Sequence, residues 1–162
     1  MCGVIGIGGD RHRHLEGLGL CCRHLVKGGV LVLDSDVPWA SEEDRSEWRG
    51  GQTQPNDWPP AVAPEDRGPF EDGTQFEMCA RTIRFDPLTQ VSRLEMKVRH
   101  YVDGALAAAE VHPILIRTYL PAELVVMLED VSFERIETFG DYTESPVSTD
   151  DSVHLFAAYK GK

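Results

Sequence analysis

The feature that most constrains the fold is the stretch 22–39, CRHLVKGGVLVLDSDVPW, which combines a helix end, a glycine turn and an apolar strand. Its basic residues suit the negative end of a helix dipole. Gly28 and Gly29 end that helix, because glycine readily adopts the left-handed conformation favoured there. The run VLVL at 30–33 predicts a strand covered on both faces, as in a parallel α/β sheet, because a half-exposed strand would alternate.

Polar residues follow this strand directly, since Asp34, Ser35 and Asp36 come next and Trp39 lies three residues further on. In open α/β sheets, ligands bind in the crevice beyond the carboxyl ends of the strands. We therefore expect Asp34, Asp36 and Trp39 to lie beside a ligand.

The chain is acidic, with 27 acidic and 16 basic residues and a formal net charge of −11 in 162 residues. This charge argues against partners such as nucleic acid or an anionic membrane and favours a small molecule. No apolar run approaches the roughly 20 residues of a membrane-spanning helix, and the start of the chain lacks a signal-peptide pattern. We therefore expect a cytoplasmic protein with one domain, residues 1–162.

No metal site is predicted. The cysteines lack the C-x-x-C spacing of zinc and redox sites, and we expect them to be reduced, buried thiols. Three histidines lie near the first helix, but no carboxylate or cysteine stands at a spacing that would complete a metal site. These cysteines and histidines are Cys2, Cys21, Cys22, Cys79, His12, His14 and His24.

Residues 3–9, GVIGIGG, predict a short strand that runs into a glycine-rich turn. The fingerprints of dinucleotide-binding and P-loop turns both fail, because a glycine is missing at Arg11 and no lysine is followed by Ser or Thr. A plain turn and a turn that contacts part of a cofactor both remain open. Asp10 is suited to cap the helix that follows.

Residues 40–73 carry half of the prolines and many acidic residues, and they predict a long irregular excursion. Loops of this length are uncommon in compact domains and are often lids or binding loops. The tryptophans in this region, Trp48 and Trp58, favour a lid. A flexible acidic loop whose tryptophans pack on the body is the alternative.

Residues 74–116 alternate with the period of two that is typical of antiparallel strands. Two long strands join at the turn 86–89, and a third is predicted over residues 109–119. We expect one apolar face, with Phe76 and Met78, to be buried, and the charged side chains to face solvent or a ligand. The latter are Arg81, Arg93, Lys97, Arg99, Glu110, His112 and Arg117.

The last part of the chain predicts a helix in which Pro121 suits the first position and residues 122–130 follow. Strands at 133–139 and 153–159 then form an antiparallel hairpin.

The order and spacing of these elements resemble the C-terminal half of class I S-adenosylmethionine-dependent methyltransferases of the small-molecule type. LVKGGVLVLD resembles the segment in which a helix of that family ends at two glycines before the fifth strand. RTYLPAELVVMLEDVSFERIETFGDY resembles its late helix and sixth strand, and SVHLFAAYKGK resembles its seventh, antiparallel strand.

This resemblance implies an α/β fold with a partial Rossmann-like sheet of strands four to seven, formed by residues 1–39 and 117–162. Strand four would be residues 3–7. An antiparallel sheet that covers the substrate (residues 74–116) and the irregular loop (residues 40–73) would be inserted. The family's glycine-rich cofactor loop and the acidic residues of strands two and three have no counterpart in the chain. We therefore expect a truncated sheet whose exposed edge allows a homodimer.

The resemblance also implies S-adenosylmethionine as the cofactor and methyl transfer to an oxygen or nitrogen of a small molecule. On that basis Ile5, Gly6 and Gly8 are predicted to bind the cofactor. Asp34, Asp36 and Trp39 are predicted to bind the substrate, and His112 is the candidate catalytic base. Two alternatives remain open: a non-catalytic remnant that binds a small ligand or a partner through its antiparallel sheet, and an α+β ligand-binding barrel unrelated to methyl transfer.

Overall fold

The structure, a computed structural model, describes residues 5–37, 42–51, 54–69 and 73–162. The elements follow one another as α1 (Arg11–His24), β1 (Val30–Asp36), α2 (Glu42–Gly50), a 3-10 turn (Pro64–Asp66), β2 (Gly68–Pro69), β3 (Gln75–Asp86), β4 (Val91–Val102), β5 (Ala105–Arg117), α3 (Pro121–Asp130), β6 (Phe133–Gly140) and β7 (Val153–Lys160). They form two sheets, of three and four strands. None of the described helices is long and apolar enough to span a membrane.

The three-stranded sheet has the order β1-β7-β6. β7 pairs antiparallel with both neighbours, so β1 and β6 run parallel to each other. In the predicted sheet β1, β7 and β6 would be strands five, seven and six, and the hairpin of β6 and β7 is confirmed.

The core lies on one face of this sheet, under α1 and α3. Leu33 lies opposite Phe156 in the register of β1 and β7, and both side chains are buried. The other buried members of the cluster are Leu18, Cys22, Tyr119, Leu124, Met127, Leu128, Phe133 and Ala158. Asp10 caps α1 as predicted, since its carboxylate accepts a hydrogen bond from the His12 amide.

The prediction that β1 is covered on both faces is wrong. Val30 and Val32 are 42% and 45% exposed, whereas Leu33 is 2% exposed. The described helices that join the core, α1 and α3, cover only the face that carries Leu33. The apolar run therefore does not indicate a doubly buried strand: the face that carries Val30 and Val32 is little covered by the described residues.

Strand four is not formed in the described part of residues 3–7. Residues 5 and 6 form a turn, and Ile7 makes a single antiparallel bridge with Ile116. Gly3 and Val4 lie outside the described residues. Ile7 is bonded to the four-stranded sheet instead of extending the three-stranded one.

The four-stranded sheet has the order β2-β3-β4-β5, and all of its pairs are antiparallel. The two long strands and the turn between them are confirmed. β5 begins at Ala105, four residues before the predicted start of the third strand, and the two-residue β2 was not predicted.

The burial of this sheet is inverted relative to the prediction. Glu77 is 3% exposed, whereas its apolar neighbour Met78 is 60% exposed. The side chain of Arg99, which was expected to face solvent or a ligand, is only 18% exposed and pairs with Glu77. Residues 54–69 cause this inversion, because the Val62 amide bonds to Glu77 and the Arg67 guanidinium stacks on Tyr101.

The excursion 40–73 is less irregular than predicted, because it contains α2, the 3-10 turn and β2. Its tryptophans contact the antiparallel sheet. The Trp48 ring lies 5.3 Å from the Phe85 ring, and Trp58 lies against the cationic groups of Arg81 and Lys97. These contacts agree with a loop that packs on the body of the protein.

Candidate functional site

One edge of the three-stranded sheet collects the polar residues that follow its strands. β1 ends at Asp36, β6 ends at Gly140, and the antiparallel β7 begins at Val153. Asp36 is paired with Val153, and Gly140 with His154, so all three strand ends meet. We call this the carboxyl edge, because it is the carboxyl end of both parallel strands and hence the position where ligands bind in such sheets.

Asp34 is the buried acid of the carboxyl edge. It is 7% exposed, and its Oδ2 accepts a hydrogen bond of 2.5 Å from the hydroxyl of Tyr142. Tyr142, just after β6, is 64% exposed. The structure therefore places an exposed phenol between the predicted Asp34 and solvent, and the prediction had not included Tyr142.

The turn that carries Tyr142 has an unusual backbone. Asp141 and Tyr142 have φ angles of 44° and 58°, in the left-handed region that non-glycine residues seldom adopt. The Asp141 carboxylate holds this turn, because its Oδ1 accepts hydrogen bonds of 2.9 Å from the amides of Ser152 and Val153. Such conformations cluster at functional sites, where the surroundings fix them.

Asp36 and Trp39 complete the set predicted beside Asp34. Asp36 is exposed at the end of β1. Trp39 lies outside the described residues. The assignment of these three residues to substrate binding stays a prediction.

His154 lies at the same edge on the opposite face from Asp34, next to Ser35 and Gly140 in the register. It is 8% exposed, and its Nδ1 is buried without a hydrogen-bond partner among the described residues. The Asp151 carboxylate packs on Gly140, where it would clash with any Cβ. A buried polar atom without a partner requires an explanation such as a ligand or a water. The only feature of the sequence that could have indicated His154 is the presence of a histidine within the apolar strand VHLFAAY.

His112, the predicted catalytic base, lies on β5 of the other sheet. Its Nε2 is 3.0 Å from Oε2 of Glu110, and both side chains are more than half exposed. The carboxyl edge belongs to β1, β6 and β7. Because β5 belongs to the other sheet, no strand pairing in the described structure places His112 next to Asp34. Its catalytic role stays a prediction.

The turn of residues 5–9 contains the predicted cofactor residues. Ile5 packs against the core. A Cβ on Gly6 would lie 2.1 Å from the carbonyl oxygen of Arg117, so packing against β5 already requires a glycine there. Gly8 has a φ of 93° and nothing within 4 Å of its missing Cβ, which leaves its Cα open to a ligand.

This turn is fixed to its surroundings by several hydrogen bonds. The Gly8 amide donates to the Leu115 carbonyl at 2.7 Å, and the Arg117 amide donates to Gly6 at 2.9 Å. The Arg117 side chain donates from Nε to the Gly9 carbonyl. The backbone at Gly8 is therefore presented in one conformation.

A buried charged group anchors the excursion to the four-stranded sheet. Glu77 accepts hydrogen bonds from Arg99 Nη1 at 2.5 Å and from the Tyr101 hydroxyl at 2.8 Å. Burial alone would raise the pKa of Glu77, but these bonds, the Val62 amide and the Arg99 charge together lower it. The carboxylate is therefore ionised and binds the sheet to the loop above it.

Among the residues that the structure describes, no three His, Cys, Asp or Glu side chains are grouped as metal ligands.

Comparison with solved structures identifies the fold. The chain superposes on the CcbJ methyltransferase from Streptomyces caelestis with a TM-score of 0.59 at 17% identity, covering 93% of this chain and 51% of that one. An S-adenosylmethionine-dependent methyltransferase from Clostridium acetobutylicum gives a TM-score of 0.61 at 11% identity, with 94% and 53% covered. DesVI from Streptomyces venezuelae gives 0.55 at 17% identity, with 99% and 56% covered.

The chain thus has the fold of class I methyltransferases, and it spans about half the length of these structures. The predicted Rossmann-like α/β class with an inserted antiparallel sheet is confirmed, and the unrelated α+β barrel is wrong. The sequence matches no protein-family model, and the comparison with curated proteins gave no match.

Proposed function

We propose that this chain is the acceptor-side half of an S-adenosylmethionine-dependent methyltransferase that acts on an oxygen or nitrogen of a small molecule. The observation that carries the proposal is the carboxyl edge of a methyltransferase-like sheet. It holds Asp34 with Tyr142 on one face and the unpartnered His154 on the other.

Alignment of the acceptor supplies much of the rate in such a reaction, because methyl transfer is a direct displacement that requires the nucleophile in line with the methyl group. S-adenosylmethionine, when bound, supplies that methyl group on its sulfonium. In this chain, Tyr142 would contact the acceptor while Asp34 fixes the phenol. His112 is the candidate base that would accept the proton of a hydroxyl or ammonium nucleophile.

The cofactor would contact this chain along the turn of residues 5–9. Gly8 supports this part of the proposal, since its Cα side is open and its backbone is held by Leu115. Ile5 and Gly6 would hold the turn in place, because Ile5 packs against the core and Gly6 packs against β5. Because the chain spans about half of its structural neighbours, the rest of the cofactor site would be supplied by other polypeptide.

Titration calorimetry of the full chain with S-adenosylhomocysteine tests the proposal. We expect binding that is weakened by the missing part of the site and that Gly8→Ala lowers at least tenfold further, because the new methyl group projects into the space left for the cofactor. Gly104→Ala is the matched control, since Gly104 has a similar φ of 76° and is equally open. Absence of binding, or equal effects of both variants, would contradict cofactor binding by this chain.

A non-catalytic binding protein is the second candidate function. The observation that favours it is the exposure of β5: its first nine residues are all exposed, which is typical of a strand that binds another molecule. This candidate predicts no binding of S-adenosylhomocysteine, so the same titration separates the two.

The proposed partner is a small molecule. The proposal does not include nucleic acid or membranes as partners, because the net charge of −11 repels polyanions. A cytoplasmic location belongs to the same proposal. The free thiols of Cys21, Cys22 and Cys79 suit a reducing compartment.

A further inference from the structure

The two faces of the three-stranded sheet differ in what covers them. Leu33 and Phe156 lie opposite each other in the register and are buried with α1 and α3 in the core. Side chains alternate between the faces along a strand, so Val30 and Val32 project from the opposite face, where they are 42% and 45% exposed. We call the face that carries Val30 and Val32 the outer face.

The apolar part of the outer face is two strands wide. Two rows of paired residues cross it from β1 over β7 to β6, and these rows are Val30, Tyr159 and Arg135, and Val32, Ala157 and Glu137. Each row begins with an apolar residue on β1 and ends with a charged one on β6. Neighbouring strands lie about 4.8 Å apart, so the apolar strip over β1 and β7 is about 10 Å wide, which is the width of one α-helix.

Polar groups border the apolar strip on two sides. On the side of β6, the Arg135 guanidinium lies 3.8 Å from the centre of the Tyr159 ring, and the Tyr159 hydroxyl donates a hydrogen bond to Glu137. At the carboxyl edge, Asp34 accepts its hydrogen bond from Tyr142. Exposed apolar surface with a polar rim marks a site of protein interaction. The rim also requires an occupant that is apolar on one side only.

The described helices of the chain do not cover the apolar strip. α1 and α3 pack on the face that carries Leu33. α2 lies against the other sheet, where Trp48 contacts Phe85. In α/β domains, helices normally cover both faces of a sheet that contains parallel strands. A helix on the outer face would therefore come from polypeptide other than the described residues.

The solved structures with this fold contain enough polypeptide to supply such a helix. Superposition covers 93–99% of this chain but only 51–56% of those chains. Each of them therefore has nearly as much polypeptide again outside the matched part. This additional half is the polypeptide that the half-covered sheet of the present chain lacks.

We propose that the apolar strip of the outer face is the docking surface for an amphipathic helix of the polypeptide that supplies the rest of the cofactor site. The assignment rests on the proposed function, which requires that polypeptide, and it states where the polypeptide binds. The docked surface is the same whether the polypeptide is a separate chain or is joined to this one. A second copy is disfavoured as the occupant, because two chains with a net charge of −11 repel each other.

Site-specific photo-cross-linking identifies the occupant. The photoreactive amino acid p-benzoylphenylalanine is incorporated in place of Val30 in the native cells, and the peptide attached after irradiation is sequenced by mass spectrometry. We expect a segment outside residues 1–162 that belongs to a polypeptide with a glycine-rich turn between a strand and a helix. The same label in place of Val126 is the control and should not capture it, since Val126 is 49% exposed on α3, on the other side of the sheet.

Several outcomes of the cross-linking would overturn the proposal. They are the absence of an adduct at position 30, the same adduct at position 126, and an adduct to a polypeptide without a glycine-rich turn. An adduct between two copies of the chain would support the homodimer predicted from the sequence and would equally contradict the proposed occupant.

Unfolding in urea provides a second test. Val30→Lys and Val126→Lys introduce the same charge at exposed valines, so neither should change the midpoint of the isolated chain. In the complete assembly, Val30→Lys should lower the midpoint and Val126→Lys should not, because only Val30 is then buried beneath the docked helix. A loss of stability in the isolated chain with Val30→Lys would show that the chain covers this face itself and would contradict the proposal.

The cofactor titration separates this proposal from the proposed function. Docking at position 30 in an assembly that does not bind S-adenosylhomocysteine would support the docking surface and contradict the methyltransferase. Binding of S-adenosylhomocysteine by an assembly that does not contact position 30 would contradict the docking surface alone.

Discussion

The hydroxyl of Tyr119 lies 2.6 Å from Nδ1 of His14, and the other ring nitrogen, Nε2, lies 2.9 Å from the carbonyl oxygen of Ile7. A carbonyl only accepts, so Nε2 carries the proton and Nδ1 accepts from Tyr119. Burial raises the pKa of Tyr119 and keeps its hydroxyl protonated as the donor. The pair thereby connects the start of α3 to α1 and to the turn that contains Gly8.

Removal of the Tyr119 hydroxyl should destabilise the protein. Tyr119→Phe leaves Nδ1 of the buried His14 without a donor, which costs about 1–3 kcal/mol in the free energy of unfolding. Urea denaturation measures this loss. Tyr159→Phe is the control, because the Tyr159 hydroxyl bonds to Glu137, which is 40% exposed and can bind water instead. Equal losses in the two variants would contradict the role of His14.

The bond between Asp34 and Tyr142 should appear as a coupling energy. A double-mutant cycle of Asp34→Ala and Tyr142→Phe is expected to give at least about 1 kcal/mol, since a hydrogen bond to a buried carboxylate is stronger than a neutral one. Denaturation of the four proteins provides the values. The corresponding cycle of Glu137→Ala and Tyr159→Phe should give less, because that pair is less buried. Additive effects at Asp34 and Tyr142 would mean that the phenol is not held by the acid.

Local patterns predicted the elements near the site but not their surroundings. The end of α1 before the glycine pair, the start of α3 at Pro121 and the hairpin of β6 and β7 are set by neighbouring residues, and each was predicted from them. The exposure of Val30 and Val32 was not predicted, because it depends on which helices cover the sheet. The same reason applies to Glu77, whose burial depends on residues 54–69.

The residues that complete the candidate site were missed because long-range pairing brings them there. Tyr142 reaches Asp34 across 108 positions of sequence. His154 is placed at the carboxyl edge by the register of β7 with β1 and β6, not by a motif. The fold, in contrast, was recognisable because the order of its elements is preserved along the chain.

The ion pair at Glu77 should make stability depend on pH in the acid range. The pKa of Glu77 is lowered from its ordinary 4.5, so its contribution is present above 4.5 and is lost as the pH falls through the lowered pKa. Glu77→Gln should therefore be less stable than the wild type by about 1.5–3 kcal/mol at neutral pH. The difference should shrink at about pH 3.

Urea denaturation at both pH values measures this dependence. Glu95→Gln is the control, because Glu95 pairs with Arg81 at a position where both side chains are more than 20% exposed, and its effect should be smaller. A constant difference between wild type and Glu77→Gln across this pH range would contradict an ionised, stabilising Glu77.

The two buried histidines should respond oppositely to the same substitution. His14 and His154 are 9% and 8% exposed, but both nitrogens of His14 are bonded while Nδ1 of His154 lacks a partner among the described residues. His154→Leu removes a buried polar atom that gains nothing from the protein, so we expect about 1 kcal/mol of stabilisation. His14→Leu deprives two groups of their partners and should cost more than about 2 kcal/mol. Thermal and urea unfolding measure both, and a loss of stability in His154→Leu comparable to that in His14→Leu would show that His154 serves the fold and is not held ready for a ligand.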